Sequence, residues 1–177
     1  MRPTKTLDKD NKFGYLATFC NNCGKFEIIT DNSRTVPVVC DCHYVLSDID
    51  YGMLYVARTL YSCGISISNC CEGHFKEGYH HGYIDINISR LSSITGITRK
   101  EFKIKYGHPV GWNINSLGEM VGDIDEFNIE MNAYIKMFPL NENKFNEYKE
   151  IYMKNLYDWV DMIYTDIHGT PNDICKR

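Results

Sequence analysis

The fold of this chain is decided by two short cysteine motifs, Cys20-Asn21-Asn22-Cys23-Gly24 and Cys40-Asp41-Cys42-His43. A Cys-x2-Cys turn brings two thiolates to one ion, and the glycine after it tolerates the positive φ that such a turn often needs. The second motif follows at a distance that the arm of a β-hairpin would cover. This spacing predicts a structural Zn²⁺ site with tetrahedral geometry, one ion per chain.

The predicted zinc ligands are the thiols of Cys20, Cys23, Cys40 and Cys42, with His43 as the alternative to Cys42. A thiolate is the commoner structural ligand, which favours Cys42. The competing interpretation is two unrelated pairs of buried or disulfide-bonded cysteines. We expect no secretory signal at the start of the sequence, so disulfides are disfavoured and the eight cysteines should stay reduced in a cytoplasm.

The composition is that of a folded protein with no strong charge. The sequence has 177 residues, of which 44% are hydrophobic and 13% aromatic, enough for a packed core. A net charge of -4 gives no electrostatic reason to expect non-specific binding to nucleic acid. No apolar run approaches the length of about 18 residues that a transmembrane helix needs, so no membrane association is expected.

The pattern predicts a flexible start and a zinc ribbon over residues 1–46, followed by an α+β domain over residues 47–177. Short apolar runs at 15–19, 25–29 and 36–39 predict the strands of the ribbon, because turn-forming residues lie between them. A ribbon of this size buries little surface, so we expect its stability to depend on the metal.

In the second segment, Ser47 predicts a helix cap, and the apolar face that follows predicts a helix ending at Gly64. Aromatic and aliphatic residues recur at three- and four-residue steps from 141 to 168 and predict a long C-terminal helix. Alternation predicts strands at 65–68, 83–88 and 127–131. The predicted fold is therefore α+β: a zinc ribbon joined to a small sheet that two helices cover, the longer one C-terminal.

A central loop is the second candidate site, with its functional groups at Cys71, Glu72, His74, His80 and His81. A catalytic centre would use His74 as general base or Cys71 as nucleophile, with Glu72 in support. A second metal site would recruit Cys71, His74 and either His80 or His81. The third interpretation is structural: a cysteine at 70 or 71 faces the core and His74 caps a turn.

The same stretch resembles a group of small, largely uncharacterised proteins from phages and low-GC Gram-positive bacteria. Their shared elements are an N-terminal zinc ribbon, a C-C/S-E-G-H…Y-I segment, a proline–tryptophan element and a C-terminal helix. The matching segments here are Cys71-Glu72-Gly73-His74, Tyr83-Ile84, Pro109-Val110-Gly111-Trp112 and Leu156-Tyr157-Asp158-Trp159-Val160. The resemblance implies the fold and an origin in a mobile element, but no established activity. It places Cys42 as fourth ligand, although the second motif here is Cys-x-Cys rather than Cys-x2-Cys.

Three functions are consistent with these features. The first is a non-enzymatic, zinc-binding interaction protein that binds and inhibits a host protein in the host cytoplasm, for example a defence-system inhibitor such as an anti-CRISPR protein. The absence of a coherent catalytic set favours it. The alternative is a metal-dependent enzyme acting on nucleic acid or nucleotides, with its site in residues 71–81. A third and weaker option is a zinc ribbon that binds nucleic acid directly, which the charge does not support because the ribbon hairpin offers only Lys25 and Arg34 as cations.

Overall fold

The computed structural model describes residues 16–29, 39–44, 46–73, 82–115, 126–131 and 142–169. Within these ranges the chain is α+β, with two antiparallel sheets and four α-helices. The strands are β1 (Leu16–Phe19), β2 (Phe26–Ile29), β3 (Ser47–Asp50), β4 (Ser66–Cys71), β5 (Tyr83–Asn87), β6 (Trp112–Asn115) and β7 (Glu126–Met131). The helices are α1 (Leu54–Ser62), α2 (Ser89–Thr95), α3 (Arg99–Tyr106) and α4 (Glu142–His168).

The smaller sheet has the order β2-β1-β3, with β1 paired antiparallel to both neighbours. The predicted helix cap at Ser47 is wrong, because residues 47–50 form β3, and α1 begins only after a short 3-10 turn at Tyr51–Met53. The local capping preference is overridden by pairing with β1, which also buries Ile49. The strand predicted at 36–39 lies mostly outside the described residues; of it, only Val39 is described, in an isolated bridge.

β3 lies just after the predicted boundary between residues 46 and 47. Since it pairs with β1, the smaller sheet contains residues from both predicted segments. The division into two domains stays a prediction.

The larger sheet has the order β4-β5-β7-β6. The predicted strands at 65–68, 83–88 and 127–131 are confirmed as β4, β5 and β7. Ile84 and Ile86 alternate with half-buried neighbours on β5, as expected for a strand with one face in the core. The sequence did not predict β6, which places the fully buried Trp112 at the sheet edge, where its indole N–H donates to the Tyr152 carbonyl at 3.1 Å.

The predicted C-terminal helix is confirmed as α4, and it packs against α1. Its buried side chains share one face, as the periodicity predicted: Phe145, Met153, Leu156, Trp159, Val160 and Ile163. None of the described helices combines the length and the apolar composition needed to cross a membrane.

The described residues contain two more helices than the sequence predicted. The helix α2 ends at Gly96, whose φ of 75° closes it with a left-handed cap. The helix α3 begins with a capping box, in which Thr98 accepts from the backbone N–H of Glu101 and the Glu101 carboxylate accepts from that of Thr98. This Thr-x2-Glu signal is visible in the sequence. Phe102 and Tyr106 attach α3 to the core.

Candidate metal centre and the start of the central loop

The first cysteine turn follows directly from the end of β1. The N–H of Gly24 donates to the Cys20 carbonyl at 2.8 Å, and the N–H of Cys20 donates to the Lys25 carbonyl at 2.8 Å. Gly24 has a φ of 74°, which closes the turn at a backbone conformation that most residues disfavour. The glycine predicted to permit this conformation therefore has that role.

The second cysteine turn is closed in the same way. The N–H of His43 donates to the Cys40 carbonyl at 2.7 Å, and the N–H of Cys40 donates to the Tyr44 carbonyl at 2.8 Å. His43 has a φ of 68°, the one described non-glycine residue with positive φ. This tight turn brings Cys42 back toward the first pair of thiols.

The four thiols of Cys20, Cys23, Cys40 and Cys42 lie within 4.8 Å of one another. The sulfur–sulfur distance is 3.4 Å for Cys20–Cys42 and 3.4 Å for Cys23–Cys40, and all four cysteines are free thiols. A tetrahedral ion with metal–sulfur bonds of about 2.3 Å requires sulfurs roughly 3.8 Å apart, so the cluster fits a metal ion with small adjustments. Soft thiolates are the ligands that Zn²⁺ and other thiophilic metals prefer.

Among the described residues, this cluster is the one group of cysteine, histidine and acidic side chains arranged to hold a metal. His43 is exposed and does not belong to it. The arrangement favours the predicted set with Cys42 as fourth ligand, and this assignment stays a prediction until metal binding is measured.

Two of the four thiols differ strongly in acidity. Hydrogen bonds from the Asn22 side chain and from the Tyr44 backbone lower the pKa of Cys42 to about 6. At Cys23 the backbone N–H of Lys25 acts to lower the pKa, but hydrogen bonding to Cys40 and to the other thiols raises it to about 12. Of these two thiols, Cys42 therefore ionises more readily than Cys23.

An ion pair and a small, partly apolar cavity lie beside the four cysteines at the protein surface. Lys25 and Asp41 form an exposed ion pair at 2.6 Å, which joins the two cysteine turns. A small surface cavity of about 110 Å³ lies next to them, with Phe26, Val39 and Leu46 in its wall. The Arg58 guanidinium covers one face of the Phe26 ring at 4.4 Å.

Only the first residues of the central loop are described, since His74, His80 and His81 lie outside the described ranges. Cys70 is buried, as the structural interpretation of this loop expects, and burial raises the pKa of its thiol. Cys71 is half-buried and its sulfur accepts from the N–H of Gly73 at 3.3 Å. The possible roles of the loop in catalysis or metal binding stay predictions.

Glu72 is engaged in an ion pair that the sequence did not predict. Its Oε1 lies 2.6 Å from the Nζ of Lys149 on α4, and each side chain is 13% exposed. The N–H of Glu72 donates to the Asp50 carboxylate at 2.9 Å. The start of the loop is thus attached to the end of β3 and to α4. Nothing in the sequence around Lys149 indicates this partner, which lies 77 residues away.

Gly52 makes room for this ion pair. A Cβ at Gly52 would lie 2.0 Å from Oε2 of Glu72, closer than any real contact. The carbonyl of Gly52 accepts from the Tyr157 hydroxyl at 2.7 Å. Burial, and then the nearby charge of Glu72, raise the pKa of Tyr157 to about 12, so the phenol stays a donor at neutral pH.

No family model matches the chain, and searches of curated proteins and of solved structures returned no significant match.

Proposed function

We propose that this chain is a protein-binding module stabilised by one structural Zn²⁺ held by Cys20, Cys23, Cys40 and Cys42. The observation that carries the proposal is the convergence of four free thiols within 4.8 Å. Four protein ligands fill a tetrahedral ion, which leaves no open position for water or substrate. A metal in such a site contributes folding free energy rather than chemistry.

A surface beside the cluster supports protein binding. We call Phe26, Val39 and Tyr44 the ribbon face; their exposed fractions are 38%, 54% and 58%. Phe26 and Val39 line the same small cavity, and Tyr44 belongs to the second cysteine turn. Aromatic side chains at a protein surface contribute strongly to interfaces, because they bury a large area on binding. The two cysteine turns would hold this face in place.

The partner we propose is a host protein, with the chain acting as a mobile-element inhibitor by occupying it. The resemblance to phage proteins supports this choice of partner. A mild net charge of -4 and an exposed apolar face fit a protein partner better than the phosphate backbone of nucleic acid. Activity through occupancy requires one inhibitor molecule per target molecule.

The experiment is a binding titration with matched surface variants of the zinc-loaded protein. Tyr44→Ala and Val39→Asp change the ribbon face, whereas Ile104→Asp changes a side chain on α3 that is 76% exposed. We expect the two ribbon-face variants to lose a partner that the wild type and Ile104→Asp retain. Equal retention by all three variants would contradict a role for the ribbon face.

A further inference from the structure

Asn21, which lies between the first two thiols, pairs with the backbone of the larger sheet. Its side-chain Nδ2 donates to the Ile67 carbonyl at 2.5 Å, and its Oδ1 accepts from the Ile67 N–H at 3.2 Å. Ile67 belongs to β4, an edge strand of the sheet order β4-β5-β7-β6. The Asn21 amide therefore supplies one hydrogen-bond donor and one acceptor to β4, as the backbone of a neighbouring strand would do at this edge.

The same cysteine turn has a second attachment at α1. The Tyr61 hydroxyl donates to the Asn22 carbonyl at 2.8 Å. The Tyr61 ring lies so close to Gly24 that a Cβ there would be 2.6 Å from it, and it packs edge-on against Phe19 with 5.8 Å between the ring centroids. The turn is thus fixed to the body at two separate points.

β4 connects this attachment to the start of the central loop. Four residues after Ile67, the strand ends at Cys71, and Glu72 then binds Asp50 and Lys149. The pairing of β4 with β5 is irregular between Ile67 and Asn69, at the strand position that Asn21 holds. An edge strand with an irregular register depends more than a regular one on what fixes its free side.

We infer that metal binding at the four thiols and the ordering of β4 are coupled through Asn21, which acts as a positioning residue. The inference rests on the proposed metal site. The metal orders the first cysteine turn, which positions the Asn21 amide. The amide then binds the edge of β4 that no described strand covers, and so orders the strand as far as the start of the loop at Glu72. By linkage, an ordered β4 in turn strengthens metal binding.

The test is hydrogen exchange of the full-length protein with Zn²⁺ bound and after removal of Zn²⁺ by a chelator. In the wild type, chelation should increase exchange at Ile67 and in residues 66–73, while β5, in the middle of the same sheet, keeps its protection. Asn21→Ala should exchange rapidly at Ile67 even with Zn²⁺ bound. It should also bind Zn²⁺ about tenfold more weakly in competition with a chromophoric chelator, since two hydrogen bonds are lost.

The matched control is Asn113→Ala, an exposed asparagine on β6 at the opposite edge of the sheet. It should leave both the exchange at Ile67 and the affinity for Zn²⁺ unchanged. Tyr61→Phe, which removes only the hydroxyl that donates to Asn22, is a milder variant and should weaken Zn²⁺ binding severalfold even where Asn21→Ala fails to fold.

Three outcomes would overturn the inference. In the first, the wild type binds Zn²⁺ but chelation leaves exchange in β4 unchanged, or increases it equally in β5. In the second, Asn21→Ala and Tyr61→Phe both bind Zn²⁺ as tightly as Asn113→Ala. These two results leave the proposed metal site intact. In the third, the wild type binds no Zn²⁺, which removes the metal site and the coupling together.

Discussion

The carboxylate of Glu72 and the ammonium group of Lys149 form an ion pair at 2.6 Å, with each side chain only 13% exposed. The pair joins the end of β4 to α4, two elements that are far apart in the sequence. Breaking a buried pair leaves one charge without compensation, which costs more than the pair itself contributes.

We predict that Lys149→Met lowers the free energy of unfolding by roughly 1 to 3 kcal/mol, because the largely buried Glu72 carboxylate then lacks its charged partner. The measurement is chemical denaturation of the zinc-loaded protein. The control is Lys154→Ala, which removes an exposed i,i+4 pair with Asp158 and should cost less than about 0.5 kcal/mol. The double variant Glu72→Gln/Lys149→Met should cost less than the sum of the single variants. Equal effects of Lys149→Met and Lys154→Ala would contradict the role of this pair.

The sequence predicted those parts of the fold and site that depend on local patterns. The aromatic periodicity of α4 and the alternation in β5 needed no tertiary information. The spacing of the four cysteines similarly anticipated their convergence, because short turns fix where their thiols can point. The Ser47 cap failed because pairing with β1 is a long-range effect that a local signal does not contain.

The Glu72–Lys149 pair was not predictable for a related reason. The sequence of α4 does not indicate which residue Lys149 contacts, and its partner is 77 residues away. The Asn21–Ile67 pairing spans 46 residues and uses the backbone of Ile67, which leaves no signal in the residue type. These contacts follow from tertiary packing: α4 lies against the start of the central loop, and the first cysteine turn lies against β4.

A second prediction concerns the close approach of Gly111 to Tyr152. A Cβ at Gly111 would lie 1.8 Å from the Tyr152 ring, whereas a Cβ at Gly96 would meet nothing within 4 Å. Both glycines have positive φ, 83° for Gly111 and 75° for Gly96, so an alanine at either position causes similar backbone strain. We expect Gly111→Ala to destabilise the protein by at least about 1 kcal/mol more than Gly96→Ala in thermal or chemical denaturation. Similar losses for both variants would show that Tyr152 moves aside without cost.

A third prediction is a pH dependence at the contact between α3 and α4. Hydrogen bonds from Lys105 and Tyr106, each 2.6 Å from Oδ2 of Asp166, lower the pKa of this carboxyl group below its ordinary value of 3.8. A carboxyl group whose pKa is lower in the folded state stabilises the fold above its unfolded pKa, and the contribution is lost as the pH falls through the folded pKa.

Asp166→Asn should therefore lower the free energy of unfolding at pH 7, by no more than about 1 kcal/mol because the pair is partly exposed. The difference from wild type should shrink as the pH falls below 3.8. Tyr106→Phe, which removes one of the two donors, should show a smaller effect of the same sign. A difference that stays constant from pH 7 to pH 2 would mean that the loss comes from packing and not from the charge.

A fourth prediction separates occupancy from catalysis at the central loop. If the protein acts by occupying a partner, full effect requires about one molecule per target, and His74→Ala weakens binding by no more than about 1 to 2 kcal/mol. An enzyme would act far below this ratio and would lose activity by orders of magnitude in His74→Ala and Glu72→Gln. The measurement is a titration against the target, with folding and zinc content checked in each variant, because Glu72→Gln also removes the ion pair with Lys149. If the protein has its full effect at far less than one molecule per target, and both variants abolish this effect, the protein is an enzyme.

The proposed zinc site is tested most directly by the zinc content of the purified wild-type chain and of three variants, measured by elemental analysis and native mass spectrometry. We predict one Zn²⁺ per chain in the wild type, its loss in Cys20→Ser and Cys42→Ala, and its retention in His43→Ala. Loss in His43→Ala with retention in Cys42→Ala would make His43 the fourth ligand. Less than about half a zinc per wild-type chain, with no other metal in its place, would show that the four cysteines do not form a structural metal site.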